Sequence, residues 1–518
     1  MEWSIGNITT KRSILSPDKT AIFFNDEPIT YKELNDNVNR AADYLKKKGL
    51  KKGDRISVML KNCPEFLEVY FAAAKLGIIF VPVNFRLMGP EIKFQLNNCG
   101  SRLLIFHDDF TNIIAGIRTQ CKVEDDKFIC LVEKTEKTIN LPAWAEEYYA
   151  VRNSCCIDEP VPDEPVKLDD PLAIIYTSGV TGDPKGALLS HGQTYYKNMQ
   201  NIFYADLRED DIYLSQLPLF HSGGLFVVTT PGLCRGTTIV LRQSFDPEQF
   251  ITDIQKYKAT IIFALTTMWR FILQTKKLPE VDVSSVRVVM GGGERTPKRL
   301  FDDLADNGLY MQQVFGQTEN SIMMALPKKD IQRKMGSIGL PGFFTEVWIS
   351  DKDGKELPHG TIGEIVAKGP NVMSGYWNDP KKTAKTIVNG ILFTGDLGYR
   401  DDEGYFYIVD RAKDMYRSGG ENVYPAEIEK VLSEHPGITN VAIIGVPDEK
   451  WGEAGMAFII PSGKNTLTKE EILEFLKGKI AKYKFPSHVK FLESIPMTAS
   501  GKMRKVELKN QYGVSFNN

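Results

Sequence analysis

Hydrophobic spacing along the first hundred residues alternates between two periods. Thr30 and Glu33 form a T-x-x-E capping box, and Leu34, Val38, Ala41, Ala42 and Leu45 then recur at helical intervals. Gly53 and Asp54 turn into the apolar run 56–60, which reads as a strand. Pro64 opens a second helix through Lys75, and Gly77 leads into another apolar run at 78–82. Strand, helix and strand in succession predict parallel sheets with helices on their faces, joined by right-handed connections. Further strands are expected at Leu172–Ile175, at 260–265, at Val286–Glu294 (VRVVMGGGE) and in the short run Val314–Glu319 (VFGQTE), with a helix from Pro247.

Two stretches break this pattern. Residues 122–170 are polar, acidic and proline-bearing, and read as a surface excursion. From Thr345 the chain changes to short strands separated by turns, as in a small antiparallel or barrel-like subdomain. The last hundred residues read as a compact α+β unit with helices at 426–433 and 469–482. The predicted fold is therefore α/β: a large N-terminal domain (1–410) of parallel-rich sheets flanked by helices plus the small barrel-like subdomain, then a small α+β C-terminal domain (411–518). The boundary falls in the charged, glycine-bearing segment Asp410–Asp414.

Composition narrows the class. A chain of 518 residues exceeds what one core usually organises. Its 64 basic and 66 acidic residues leave a net charge of −2, which argues against nucleic acid or an anionic membrane as partner and favours a small molecule. Seven cysteines without a CxxC pair or metal-ligand spacing read as reduced thiols, with no disulfide and no zinc. The N-terminus lacks an apolar h-region and runs such as 76–83 are too short to span a bilayer, so a cytoplasmic protein without transmembrane segments is expected.

The most suggestive stretch is Tyr176–His191, YTSGVTGDPKGALLSH. Hydroxyls at Thr177, Ser178 and Thr181, with Gly179 and Gly182, set side-chain and backbone donors side by side, as a loop wrapping polyphosphate oxygens would. Lys185 adds a cation three residues past Gly182, and Pro184 and Gly186 are expected to turn it back over the loop. The spacing is not that of a Walker A motif, which needs four residues between its glycines and Ser or Thr after the lysine. An ordinary glycine-rich turn is an equally good reading of the loop alone.

Six motifs in order decide between them: YTSGVTGDPKG, PLFH, GGGE, FGQTE, TGDLG with YIVDRAKD, and PMTASGKMRK. Together they resemble the acyl-adenylate-forming superfamily, which includes acyl-CoA synthetases, luciferases and the adenylation domains of peptide synthetases; the resemblance spans nearly the whole chain. It implies ATP, Mg2+ and coenzyme A as substrates and cofactor. By similarity, Thr177, Ser178, Gly179, Thr181, Gly182 and Lys185 hold the β- and γ-phosphates. Glu319 binds Mg2+, and Thr318 touches the α-phosphate. Phe315, Gly316, Gln317 and Glu294 belong to the nucleotide site, while Gly291, Gly292 and Gly293 lie flat between adenine and acyl group. Asp396 accepts from the ribose hydroxyls beside Arg411. Lys502 is the mobile lysine of the adenylation step. Lys413 is the hinge about which the C-terminal domain rotates, exchanging Lys502 for Gly419 and Gly420, which line the thiol tunnel. Val180, Phe315 and Gln317 replace the family's usual Thr, Tyr and Met.

The acid is less legible. The pocket set His221, Gly224, Phe226, Met268, Gly291 and Met323 is small and apolar, His221 being steric rather than a base, and no charged residue is among the pocket candidates. That favours a medium- or long-chain fatty acid. A 2-succinylbenzoate or other aryl acid is the alternative, and a luciferase-like oxygenase or a non-catalytic nucleotide-binding protein are the readings of other classes. A homodimer is compatible with all of them.

Overall fold

The computed structural model describes residues 3–133, 141–177, 184–293, 296–411, 413–418, 421–448, 451–463, 467–497 and 503–513. Among these residues the N-terminal part holds two large sheets. One has the strand order Gly375–Tyr376, Lys185–Ser190, Pro171–Thr177, Ile79–Pro82, Arg55–Met59, Leu103–His107, Phe128–Leu131, Glu146–Glu147. Its pairs are parallel from Pro171–Thr177 to Glu146–Glu147 and antiparallel at the other edge. The second runs Leu340–Pro341, Ser321–Ala325, Met311–Gln317, Val288–Gly292, Ile261–Leu265, Ile212–Leu214, Thr238–Leu241, Thr20–Phe24, Glu27–Thr30, with a parallel centre and antiparallel edges.

The expected elements form for the expected reasons. Helix Tyr31–Lys47 carries the Thr30–Glu33 capping box with both reciprocal bonds. Helix Pro64–Leu76 begins on a proline, ends on left-handed Gly77 and is buried at every residue, as a helix between two sheets must be. The segment 122–170 departs from expectation. Its apolar run Phe128–Leu131 is a fully buried parallel strand, flanked by the polar stretches that dominate a composition-based reading.

Residues 346–411 build a five-stranded antiparallel sheet from Glu346–Ser350, Gly363–Lys368, Ile391–Arg400 and Ile387–Val388, with Phe406–Arg411 on Ile391–Arg400. The C-terminal part is a second five-stranded sheet with helices Pro425–Leu432, Lys469–Leu476 and Lys505–Tyr512. The helix expected to reach 482 stops at Leu476, because Gly478 takes φ +72° and the chain turns out of the helix. Among the described residues no helix is long and apolar enough to cross a membrane.

Gly339, which precedes the edge strand Leu340–Pro341, has φ +91°, and a Cβ there would sit 2.0 Å from the backbone carbonyl of Ala325. Gly339→Ala is expected to lower stability by roughly 2–4 kcal/mol. Urea unfolding followed by tryptophan fluorescence checks this; an unchanged midpoint would contradict the close packing.

Candidate active site

The two large sheets meet at a pair of antiparallel hairpins. In the first, Pro171–Thr177 pairs with Lys185–Ser190 so that Thr177 stands opposite Lys185. Lys185 is therefore the first residue of a strand, placed by β pairing rather than by a turn at Pro184 and Gly186. Ser178, Gly179, Thr181 and Gly182 lie outside the described residues. The Lys185 ammonium rests 5.2 Å from the Tyr376 ring centroid. Burial, the adjacent Lys382 ammonium and, to a lesser degree, that of Lys413 push Lys185 below the usual lysine range, against an opposing pull from Glu319. Lys382 comes from helix Pro380–Thr386, which Asp379 caps. Ammonium groups held this close repel one another unless an anion lies between them.

The second hairpin joins Met311–Gln317 to Ser321–Ala325 and carries Thr318 and Glu319 in its turn. The turn is tightly held. Gln317 N donates to Asn320 Oδ1 (2.9 Å), Asn371 Nδ2 to Asn320 O (2.9 Å), and Met373 N to Glu319 O (2.7 Å). Gly316 is required here, since a Cβ would stand 1.8 Å from Ser321 O. Tyr376 OH donates to Glu319 Oε1 at 2.8 Å and so fixes one carboxylate oxygen. Phe315 joins the apolar cluster of Met323 and Met324 behind the turn.

Asp396, 3 % exposed on Ile391–Arg400, pairs in register with Arg411, whose Nε lies 2.9 Å from Oδ1. Gln317 Nε2 donates to Asp396 Oδ2 (2.7 Å) and to Thr394 O (2.9 Å). The glutamine thus ties the hairpin to the acid, a bond no methionine could make. Lys413 follows Arg411 by two residues; burial lowers its pKa, and its carbonyl accepts from Lys509 Nζ (3.1 Å).

Gly291 and Gly292 end a central strand, and a Cβ on either would strike Met311 Sδ (2.2 Å) or Val314 O (2.4 Å). Gly292 is demanded first by the backbone of the neighbouring strand, before any ligand is considered, whereas at Gly291 the obstacle is the Met311 side chain. Gly293 has φ +86°. Gly224, Phe226 and Val227 lie on the π-helical turn Gly223–Thr229, where a Cβ on Gly224 would meet Pro218 O at 2.3 Å. Phe226 and Met323 are fully buried and Met268 nearly so. The His221 ring packs on Phe220, centroids 4.5 Å apart. Glu294, Gly419, Gly420 and Lys502 lie outside the described residues.

Three residues escaped the sequence reading: Tyr376, Lys382 and Lys197. Lys197 lies on helix His191–Tyr204, is 1 % exposed, and donates from Nζ to Thr318 O (3.2 Å). Burial pushes it down to about 7, opposed by Glu319. The available signal was the run of polar residues Thr194, Lys197, Asn198 and Asn201 at helical spacing on a helix flanked by core strands; such a face is a solvated one in most sequences, but here it is buried.

The donor set suits a magnesium–polyphosphate. The apposed lysines and Thr177 could donate to phosphate oxygens, and Glu319 offers a hard oxygen ligand. A single carboxylate suffices because Mg2+ takes most of its shell from phosphate and water.

Comparison with known proteins agrees. Residues 11–377 match the AMP-binding enzyme family and residues 427–502 the AMP-binding enzyme C-terminal domain. A feruloyl-CoA synthase of Amycolatopsis sp is 36 % identical over 510 residues, covering 98 % of this chain and 99 % of its own. An indoleacetate–CoA ligase of Aromatoleum aromaticum is 37 % identical, covering 96 % and 95 %. The o-succinylbenzoate CoA synthetase of Bacillus subtilis, solved with its acyl-adenylate intermediate, superposes with a TM-score of 0.87 at 30 % identity over 98 % of each chain. The chain belongs to the AMP-binding enzyme family as an AMP-forming acid–CoA ligase, with ATP and CoA as co-substrates and Mg2+ as its metal.

Proposed function

We propose that the enzyme converts an aryl or arylalkyl carboxylic acid to its CoA thioester. The observation that carries the reaction class is the cluster of Lys185 and Lys382 beside Glu319 at the meeting of the two hairpins, a site built for polyphosphate. The aryl reading is supported by the feruloyl, indoleacetate and succinylbenzoate relatives. Phe226, Met268 and Met323, the apolar residues expected to enclose the acid, suit aromatic rings as well as alkyl chains, so the fatty-acid expectation becomes the competing outcome.

In this reading Thr177 and Lys185, with Ser178, Gly179, Thr181 and Gly182, hold the β- and γ-phosphates. Lys382 adds charge from the facing helix. Asp396 accepts from the ribose hydroxyls, held in place by Gln317 and Arg411. Bound at Glu319, Mg2+ supplies charge neutralisation at the phosphates. A carboxylate oxygen of the acid attacks the α-phosphorus, the P–O bond to pyrophosphate breaks, and Lys502 and Thr318 offset the charge gathering on the α-phosphoryl oxygens. The CoA thiolate then attacks the acyl carbon, and AMP leaves with the C–O bond electrons. Residues 1–410 and 411–518 act as separate domains, and rotation about Lys413 replaces Lys502 by Gly419 and Gly420 at the cleft. The C-terminal part has its own apolar clusters, within 416–512, which suits rigid-body movement. We take the cytoplasm, which supplies ATP and CoA, as its compartment.

A panel of ferulate, indoleacetate, 2-succinylbenzoate, octanoate and palmitate, read as AMP and acyl-CoA formed, is expected to give aryl acids roughly tenfold or more in kcat/KM over alkanoates. Preference for alkanoates overturns the aryl reading, and AMP without CoA consumption overturns the ligase reading. Lys502→Ala is expected to abolish acid-dependent pyrophosphate release while sparing thiolation of a supplied acyl-adenylate; pyrophosphate release at the wild-type rate would remove Lys502 from the first step. Asp396→Ala is expected to raise KM for ATP roughly 10- to 100-fold, from the lost charged hydrogen bonds, with little change in KM for the acid. Equal rises in both would indicate a structural role.

A further inference from the structure

The buried lysine on helix His191–Tyr204 has more hydrogen-bonding capacity than its surroundings use. An ammonium carries three N–H donors, and among the described residues Lys197 spends one, on Thr318 O. The Glu319 carboxylate offsets part of the cost of burying this cation, and a further acceptor for its remaining N–H donors would offset more.

Its position on the helix shows where that acceptor would lie. Asn201, four residues on, donates to Phe226 O of the π-helical turn, while Gln200, three residues on, donates to Ile322 O on the opposite side. Residues three and four apart share a helix face, so Lys197 lies between these two rows, on the face that meets both the π-helical turn and the Thr318–Ala325 segment. Phe226 and Met323, two of the residues expected to enclose the acid, belong to those two segments. Unspent polar atoms accompany the lysine: neither amide atom of Asn198 and neither Thr194 Oγ1 nor Ser321 Oγ has a partner among the described residues. An acid pocket for plain hydrocarbon would have no use for them.

We propose that Lys197 is a specificity-determining residue whose ammonium donates to a second acceptor on the acid, a hydroxyl, keto or further carboxylate oxygen, so that the preferred substrates carry such a group besides the carboxylate that is activated. The proposal rests on the acid–CoA ligase reading and narrows its substrate class. An unpaired oxygen-bearing acid and a bare hydrocarbon acid then differ in what they leave unsatisfied: the bare acid strands the buried lysine.

Matched acids test this: ferulate against cinnamate, 4-hydroxyphenylacetate against phenylacetate, and 2-succinylbenzoate against 4-phenylbutanoate. Wild type is expected to favour the acceptor-bearing member of at least one pair by roughly 10- to 100-fold in kcat/KM. K197M is expected to erase that preference, the acceptor-bearing acid losing roughly tenfold or more beyond whatever loss both members of a pair share through the released Thr318 carbonyl. K197R, which keeps charge and donors, is expected to retain part of the preference. A uniform loss across all acids with a raised Mg2+ requirement overturns the proposal, since Lys197 would then only prop the Thr318–Glu319 turn. So does a K197M enzyme that discriminates like wild type. Should K197M fail to fold, the wild-type pairs decide, and equal kcat/KM within every pair overturns the proposal while leaving the ligase reading intact. No AMP from any acid overturns both.

Discussion

The hydrogen bond from Tyr376 OH to Glu319 Oε1 joins the two large sheets beside the hairpin turn that carries Thr318 and Glu319. Tyr376 belongs to an edge strand paired with Lys185–Ser190, and Glu319 to the hairpin turn of the other sheet. Each sheet alone would offer half a site: one a lysine and a hydroxyl, the other a carboxylate. Joined, they bring Lys185 and Glu319 together with Lys382 of the neighbouring helix, and repulsion between the two ammonium groups favours an anion beside them. Such pre-organisation is what phosphoryl-type transfer requires, because its catalysis rests on positioning and charge rather than covalent help.

The third sheet extends the same logic to the nucleoside. Asp396 and Arg411 stand opposite each other on adjacent strands, and Gln317 reaches from the Glu319 hairpin to bond Asp396. The acid that would face the ribose and the acid that would face the metal therefore move as one body. Beyond Arg411 the chain enters the C-terminal part through Lys413, so the same short segment both ends the nucleotide site and begins the element proposed to rotate.

Much of this was legible in the sequence because it rests on local rules. The capping box at Thr30–Glu33, the proline-started helix at Pro64, and the glycines at Gly292 and Gly316 each state a backbone requirement that holds in the structure. Contacts between distant segments were less legible. Tyr376 lies 57 residues from Glu319, and Lys382 and Lys197 belong to helices whose composition suggests solvent. The buried strand Phe128–Leu131 was obscured by the charged residues around it. Lys197 was missed because its burial is visible only when its helix is docked between the π-helical turn and the Glu319 hairpin. Residues 178–183 and Lys502, the most sequence-legible parts of the machinery, lie outside the described residues.

The central claim is that the cleft between the two hairpins activates a carboxylate by adenylation as a step separate from thiol transfer. Exchange of labelled pyrophosphate into ATP in the absence of CoA measures that step alone. The account predicts exchange that requires both Mg2+ and a competent carboxylic acid. Exchange that fails without CoA, or proceeds equally without any acid, would contradict it.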